Sequence, residues 1–93
     1  MKVIWSDTAK STYEALIDFI IAQWNIDVAE NLEDRINKLI DLLSKNKFLC
    51  PSSKNSKGLR KCVIHPNASL FYKALDDSIV IVAIIDNRME ISF

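Results

Sequence analysis

The side chains able to do chemistry gather in the second half of the chain: Arg60, Lys61, His65, Tyr72, Lys73 and Arg88. An arginine offers a planar fork of donors that suits a phosphate or a carboxylate, and a histidine can carry a proton near neutral pH. A tyrosine adds a hydroxyl to a large apolar body. Together these types could meet a phosphate or dock on an acidic partner. No general catalytic signature accompanies them. There is no Gly-rich phosphate loop, no paired-histidine metal motif, and no serine or cysteine set beside a histidine and an acid. Each residue also has a plain structural role. Arg60 can be a sheet-edge charge, Arg88 the partner of Asp86 or Glu90, His65 a turn residue before Pro66, and Tyr72 a packed strand aromatic.

The net charge is zero, but the charges are unevenly spread. Between Leu42 and Leu75 lie Lys45, Lys47, Lys54, Lys57, Arg60, Lys61 and Lys73, with no acid among them. The first 41 residues carry Lys2, Lys10, Arg35 and Lys38 against eight acids. Such asymmetry can build a basic surface for phosphates or an acidic partner, and it can equally make a solvated loop.

The elements that must position these residues follow from periodicity. Lys2 to Ser6 is short and β-prone, and Ser6 or Asp7 can cap a helix. From Thr8 to about Trp24 the residues Ala9, Tyr13, Leu16, Ile17, Ile20 and Trp24 recur at three- and four-residue spacing, one helix face. After the break at Asn25-Ile26-Asp27, with Asp27 as the expected cap, Ala29, Leu32, Ile36, Leu39, Ile40 and Leu43 repeat that stripe. Asp34 and Lys38 are spaced for an exposed ion pair. The short connection predicts an antiparallel helical hairpin that buries Tyr13, Ile17, Ile20, Leu32, Ile36, Leu39 and Leu43; Trp5 and Trp24 are core candidates too.

Asn46 to Lys57 reads as a loop, and Gly58 opens the strand-rich half. Leu59 to His65, Ser69 to Leu75 and Ile79 to Ile85 are β-rich runs, punctuated by Pro66-Asn67 and Asp76-Asp77. Ile79 to Ile85 shows no polar alternation, which predicts a central strand buried on both faces. The order is βααβββ, an α+β class in which the hairpin covers one face of a largely antiparallel four-stranded sheet.

Length allows one domain, 1–93, with a thin core. No run reaches the ~18 apolar residues that a membrane span needs, so no membrane role is expected. Cys50 and Cys62 are too few for a disulfide framework or a four-ligand zinc site. The reading is therefore no metal, no cofactor, and reduced thiols in a cytoplasm.

Gly58-Leu59-Arg60-Lys61, then Leu70-Phe71-Tyr72-Lys73, then Ile79 to Ile85 running into Asp86-Asn87-Arg88, resembles the C-terminal half of RelE/ParE-superfamily toxins. The N-terminal strand, the two amphipathic helices and the loop at Cys50-Pro51 agree in layout. The resemblance implies the toxin of a type II toxin–antitoxin pair, of the kind that stabilises plasmids by inhibiting growth. A cognate antitoxin would be its partner, and a homodimer is allowed. Two targets occur in the superfamily: mRNA in the ribosome, cut by RelE-like endonucleases, and DNA gyrase, blocked without nuclease residues by ParE-like members. Residues 89–93, Met-Glu-Ile-Ser-Phe, hold neither the histidine nor the tyrosine common in the nuclease branch. Zero net charge also suits a ribosome-binding nuclease poorly. The ParE-like branch is therefore favoured, with an endonuclease, or a decayed toxin that only binds its antitoxin, as alternatives. Arg60, Lys61, His65, Tyr72 and Arg88 are the candidate residues facing target or antitoxin, and Arg88 is expected to be replaceable without harm to the fold.

Overall fold

Ser6 decides where the first helix begins. Its hydroxyl accepts the amide of Ala9 at 2.9 Å, removing one of the orphan donors of the first turn. In the computed structural model, which describes residues 1–88, the elements are β1 (Lys2–Trp5), α1 (Asp7–Gln23), α2 (Ile26–Lys45), β2 (Arg60–His65), β3 (Ala68–Ala74) and β4 (Ser78–Asp86). The second cap is Asn25 rather than the expected Asp27: the Asn25 side chain accepts from Val28 N, and Asp27 falls inside the first turn. A two-residue break was enough for asparagine, itself a strong cap, to start the helix earlier. Asp34 and Lys38 are not bridged; the helical ion pair among the described residues is Asp41–Lys45.

The sheet order is β1-β4-β3-β2. β1 runs parallel to β4, and the other two pairings are antiparallel. The helices cover one face, where Leu16, Ile20, Leu32, Ile36 and Leu43 meet Cys62, Leu70, Tyr72, Ile79, Ile81 and Ile84. Of the expected helical core, Tyr13, Ile17 and Leu39 are only half-buried, packed at the rim of this cluster.

β4 is central in the sheet, as its composition predicts, but it is not buried on both faces. Ile79, Ile81 and Ile84 are fully buried, whereas Val80, Val82 and Ile85 on the uncovered face are half-buried. Its neighbour β3 is the strand in which five consecutive residues, Ala68 to Tyr72, are buried. β4 also carries a bulge. Phe71 pairs with Ala83 and Tyr72 with Ile81, so Val82 is left without a partner on β3. The first helix satisfies the disturbed backbone: Ser6 Oγ donates to Val82 O at 3.0 Å, and Thr12 Oγ1 accepts Ile84 N at 3.1 Å.

Candidate functional site

β2 and β4 both run antiparallel to β3, so they point the same way and the sheet has two distinct ends. The start of β2 and the turn after β3 mark one; the tip of the β2–β3 hairpin and the end of β4 mark the other. Arg60 is level with Tyr72, and Asp86 is level with Ala68. Four residues of β3 separate these levels, roughly 14 Å.

At the first end the chain leaves α2 and folds back along the outer edge of β2. Ser53 N donates to Leu59 O and Lys61 N to Pro51 O, so the loop acts as a short extra strand. Gly58, with φ of +81°, supplies the left-handed turn that brings the chain around. Tyr72 is fully buried beneath this loop, its hydroxyl donating to Lys47 O at 2.8 Å and accepting from Cys50 N at 3.3 Å. Lys47 Nζ donates to the carbonyls of Leu75 and Asp76 at 2.9 Å each, fastening the loop to the β3–β4 turn. Arg60 donates to Cys50 O at 2.7 Å and lies over the Phe48 ring, 4.8 Å from its centre. Cys50 and Cys62 form a disulfide, Cα atoms 5.3 Å apart. This corrects the expectation of reduced thiols. Two cysteines make no framework, but the fold-back along β2 brings this pair within bridging distance, which a count of cysteines could not reveal.

The second end is an open groove of about 680 Å³ between the α1–α2 corner and the tip of the β2–β3 hairpin. Ile20, Trp24, Val28 and Leu32 supply its apolar wall, Arg35, Lys38 and Arg88 its cations, and Asp34 and Asp86 its acids, with His65 also lining it. Arg88 is fixed twice. Its guanidinium embraces the buried Asp86 carboxylate, with Nε 2.8 Å from Oδ1, and lies over the Trp24 ring 4.5 Å from the centre. The Arg88 amide also donates to Asp86 Oδ1 at 2.8 Å. The hydrogen bond from the Arg88 side chain holds the Asp86 carboxyl below the usual carboxylate range, and it lifts Arg88 in return. Glu90, the other acid considered for Arg88, lies outside the described residues.

Trp24 is therefore not core. It is 48% exposed, with its ring beneath Arg88 and edge-on to Phe19. Trp5 is half-buried against Tyr13. The Tyr13 hydroxyl is pushed up to about 12, first by burial and then by the charge and hydrogen bond of Glu33.

The five sequence candidates do not converge. Arg60 sits at the loop end, and His65 and Arg88 at the groove end. Lys61 is half-buried with its ammonium 5.8 Å from the centre of the Phe71 ring. Tyr72 is fully buried and acts through the loop it holds, not as a surface group. His65 is exposed, and its Nδ1 accepts Asn67 N at 3.2 Å. Arg88 is no free surface cation: its replacement would strand a buried carboxylate, so the fold is not indifferent to it. Sequence reading missed Trp24 as a groove residue and Phe48 altogether. Phe48 and Leu49 fit neither helical stripe nor strand, which was a signal that they serve something outside the core.

The sequence matches the model of the ParE toxin of the type II toxin–antitoxin system, parDE, over residues 3–91. The chain belongs to the ParE toxin family. As a ParE-family member it is a type II toxin, and the βααβββ fold expected from the resemblance is the one found. No curated sequence matches the chain. Among solved structures, the chromosomal ParDE system of P. aeruginosa is similar at a TM-score of 0.77 and 16% identity, covering 92% of this chain and 95% of that one. A YoeB/ParE toxin from Agrobacterium tumefaciens gives 0.67 and 15%, over 92% and 98%. The YoeB–YefM complex of Staphylococcus aureus gives 0.63 and 20%, over 91% and 94%. At such identities the likeness is one of fold. No helix among the described residues is long and apolar enough to cross a membrane.

Proposed function

We propose that this ParE-family toxin arrests growth by binding DNA gyrase rather than by cutting mRNA. The observation that supports this is the dispersal of its nuclease-type residues. Cleavage of RNA needs an acid–base group and a phosphate clamp within reach of one phosphodiester. Here Arg60 and the only histidine stand at opposite ends of the sheet, Tyr72 is buried, and Arg88 is spent on Asp86. A binding inhibitor needs no such convergence.

A cognate antitoxin is the natural partner, in the cytoplasm where both would act. The groove end suits it: an apolar wall of Trp24, Val28 and Leu32 beside Arg35 and Lys38 would take an acidic amphipathic segment. A homodimer is the further assembly this reading allows, checked by mass in solution.

Expressed without an antitoxin, the chain should raise a DNA-damage response, and the purified protein should inhibit supercoiling by gyrase. Cleaved mRNA on ribosomes with supercoiling untouched would establish the endonuclease instead. No growth arrest at all would point to a decayed toxin.

A further inference from the structure

We infer that the loop end, centred on Phe48, is a second interaction surface, separate from the groove, and that it takes an acidic protein surface with an apolar pocket. This rests on the proposed gyrase target, which is the partner assigned to it.

The first support is an exposed anchor on a rigid mount. Phe48 is 60% exposed and its neighbour Leu49 41% exposed, both in a loop where large apolar side chains gain nothing from the core. Yet the loop is not slack. Phe48 N donates to Asn46 Oδ1, Leu49 N to Asn46 O, Cys50 N to the Tyr72 hydroxyl, and the Cys50–Cys62 bridge follows at once. An aromatic held in place before contact loses little freedom on binding, the condition under which a single side chain carries much of an interface.

Charge supplies the second support. Lys47 Nζ and the Arg60 guanidinium lie 5.3 and 4.8 Å from the Phe48 ring centre, within the acid-free stretch Leu42 to Leu75. An apolar tip collared by cations is complementary to a pocket rimmed by carboxylates. Protein suits it better than nucleic acid. Arg60 already lies over the ring that a base would stack on.

Position supplies the third. α2 spans 20 residues, roughly 30 Å, between the groove corner and this loop. A partner in the groove would leave Phe48 uncovered.

The test measures binding of the full chain to purified gyrase for the parent, Phe48→Ala, Phe48→Trp and Ile26→Ala. Ile26 is as exposed as Phe48, at 59%, but stands at the opposite end of α2. Phe48→Ala should weaken binding at least about tenfold with unchanged thermal unfolding. Phe48→Trp should restore most of it, Ile26→Ala should bind like the parent, and parental binding should fall as salt is raised. Parental affinity in Phe48→Ala overturns the assignment. So does equal loss in Ile26→Ala, a changed mass in solution for Phe48→Ala (a contact between copies), or binding of duplex DNA or RNA alone that needs Phe48. If the parent itself does not bind gyrase, the target reading fails first and this assignment falls with it.

Discussion

The two ends of the sheet are built by different means. At the loop end a covalent bridge, a buried tyrosine hydroxyl and strand-like backbone bonds fix the chain before anything binds. At the groove end one arginine is held by a single carboxylate and an exposed tryptophan. Geometry at the first end is set by bonds that pH does not touch near neutrality. At the second it depends on a charge pair, so it can be titrated, repacked or displaced. Rigid presentation suits a surface that must find one shape; an adjustable wall suits one that is wrapped by another chain.

The largest expected effect removes the comparison by removing the sheet that both ends share. Ile81 is fully buried in β4, and Ile81→Asp would place a carboxylate among apolar side chains at a cost of several kcal/mol, close to the whole stability of a domain this small. No soluble, cooperatively unfolding protein should be recovered.

Next comes the loop end. Cys50→Ser with Cys62→Ser opens a bridge between residues 12 apart in sequence, and urea unfolding should show a loss of about 3 kcal/mol. The far-UV spectrum should stay the same, because Tyr72 and the edge bonds remain. A loss near zero would mean that the non-covalent stitches alone fix the loop, and the contrast with the groove end would shrink.

Arg88→Ala should be smaller, roughly 2 kcal/mol at pH 7, the cost of leaving buried Asp86 Oδ2 without its partner while the residue-88 amide still donates to Oδ1. Its pH dependence carries the sharper test. In the parent, the Asp86 carboxyl is depressed, so its contribution is fully present above the unfolded value of about 4 and is lost as pH falls through the folded value. Without the guanidinium the largest lowering cause is gone, while burial still raises the carboxyl and the residue-88 amide still lowers it, so the folded value moves up from its depressed position. The deficit of the variant should therefore shrink as pH falls through that folded value. A constant or growing deficit would contradict the charge-pair account of this end.

Asn25→Ala should have the smallest effect, about 1 kcal/mol, by removing the cap of α2 at the groove corner. Thermal unfolding of this variant beside the others would show whether that corner melts on its own.

Much of this was legible in the residues. The stripes Leu16, Ile20 and Leu32, Ile36, Leu43 gave the hairpin and its buried face, and the unbroken run Ile79 to Ile85 gave the central strand. Periodicity is local, and those features are local. What it could not reach depends on pairs distant in sequence. Trp24 continues the stripe of α1, yet it lies one residue past the end of that helix, where no strand covers it and Arg88 does. The Val82 bulge, the closure of Cys50 on Cys62 and the burial of Tyr72 beneath its loop all follow from register and chain reversal, which spacing alone does not encode. The candidate residues were dispersed for the same reason: strand direction, not composition, put Arg60 and Arg88 at opposite ends.

The hydroxyls of Ser6 and Thr12 on the backbone of Val82 and Ile84 join residues 76 and 72 apart in sequence. Among the described strands β1 likewise has its only neighbour in β4. The helical hairpin can form early from local contacts, but the first strand must wait for the last of the described strands before it has anything to pair with. During synthesis the chain thus passes through a long interval with two helices, an unpaired β1 and exposed apolar stripes. The groove end is completed only when Ser78–Asp86 takes its place between β1 and β3 and brings Asp86 and Arg88 to Trp24. For a toxin, that topology acts as a timer: the groove end, whose Arg88 follows β4 and lies over Trp24, cannot be presented until β4 has been made.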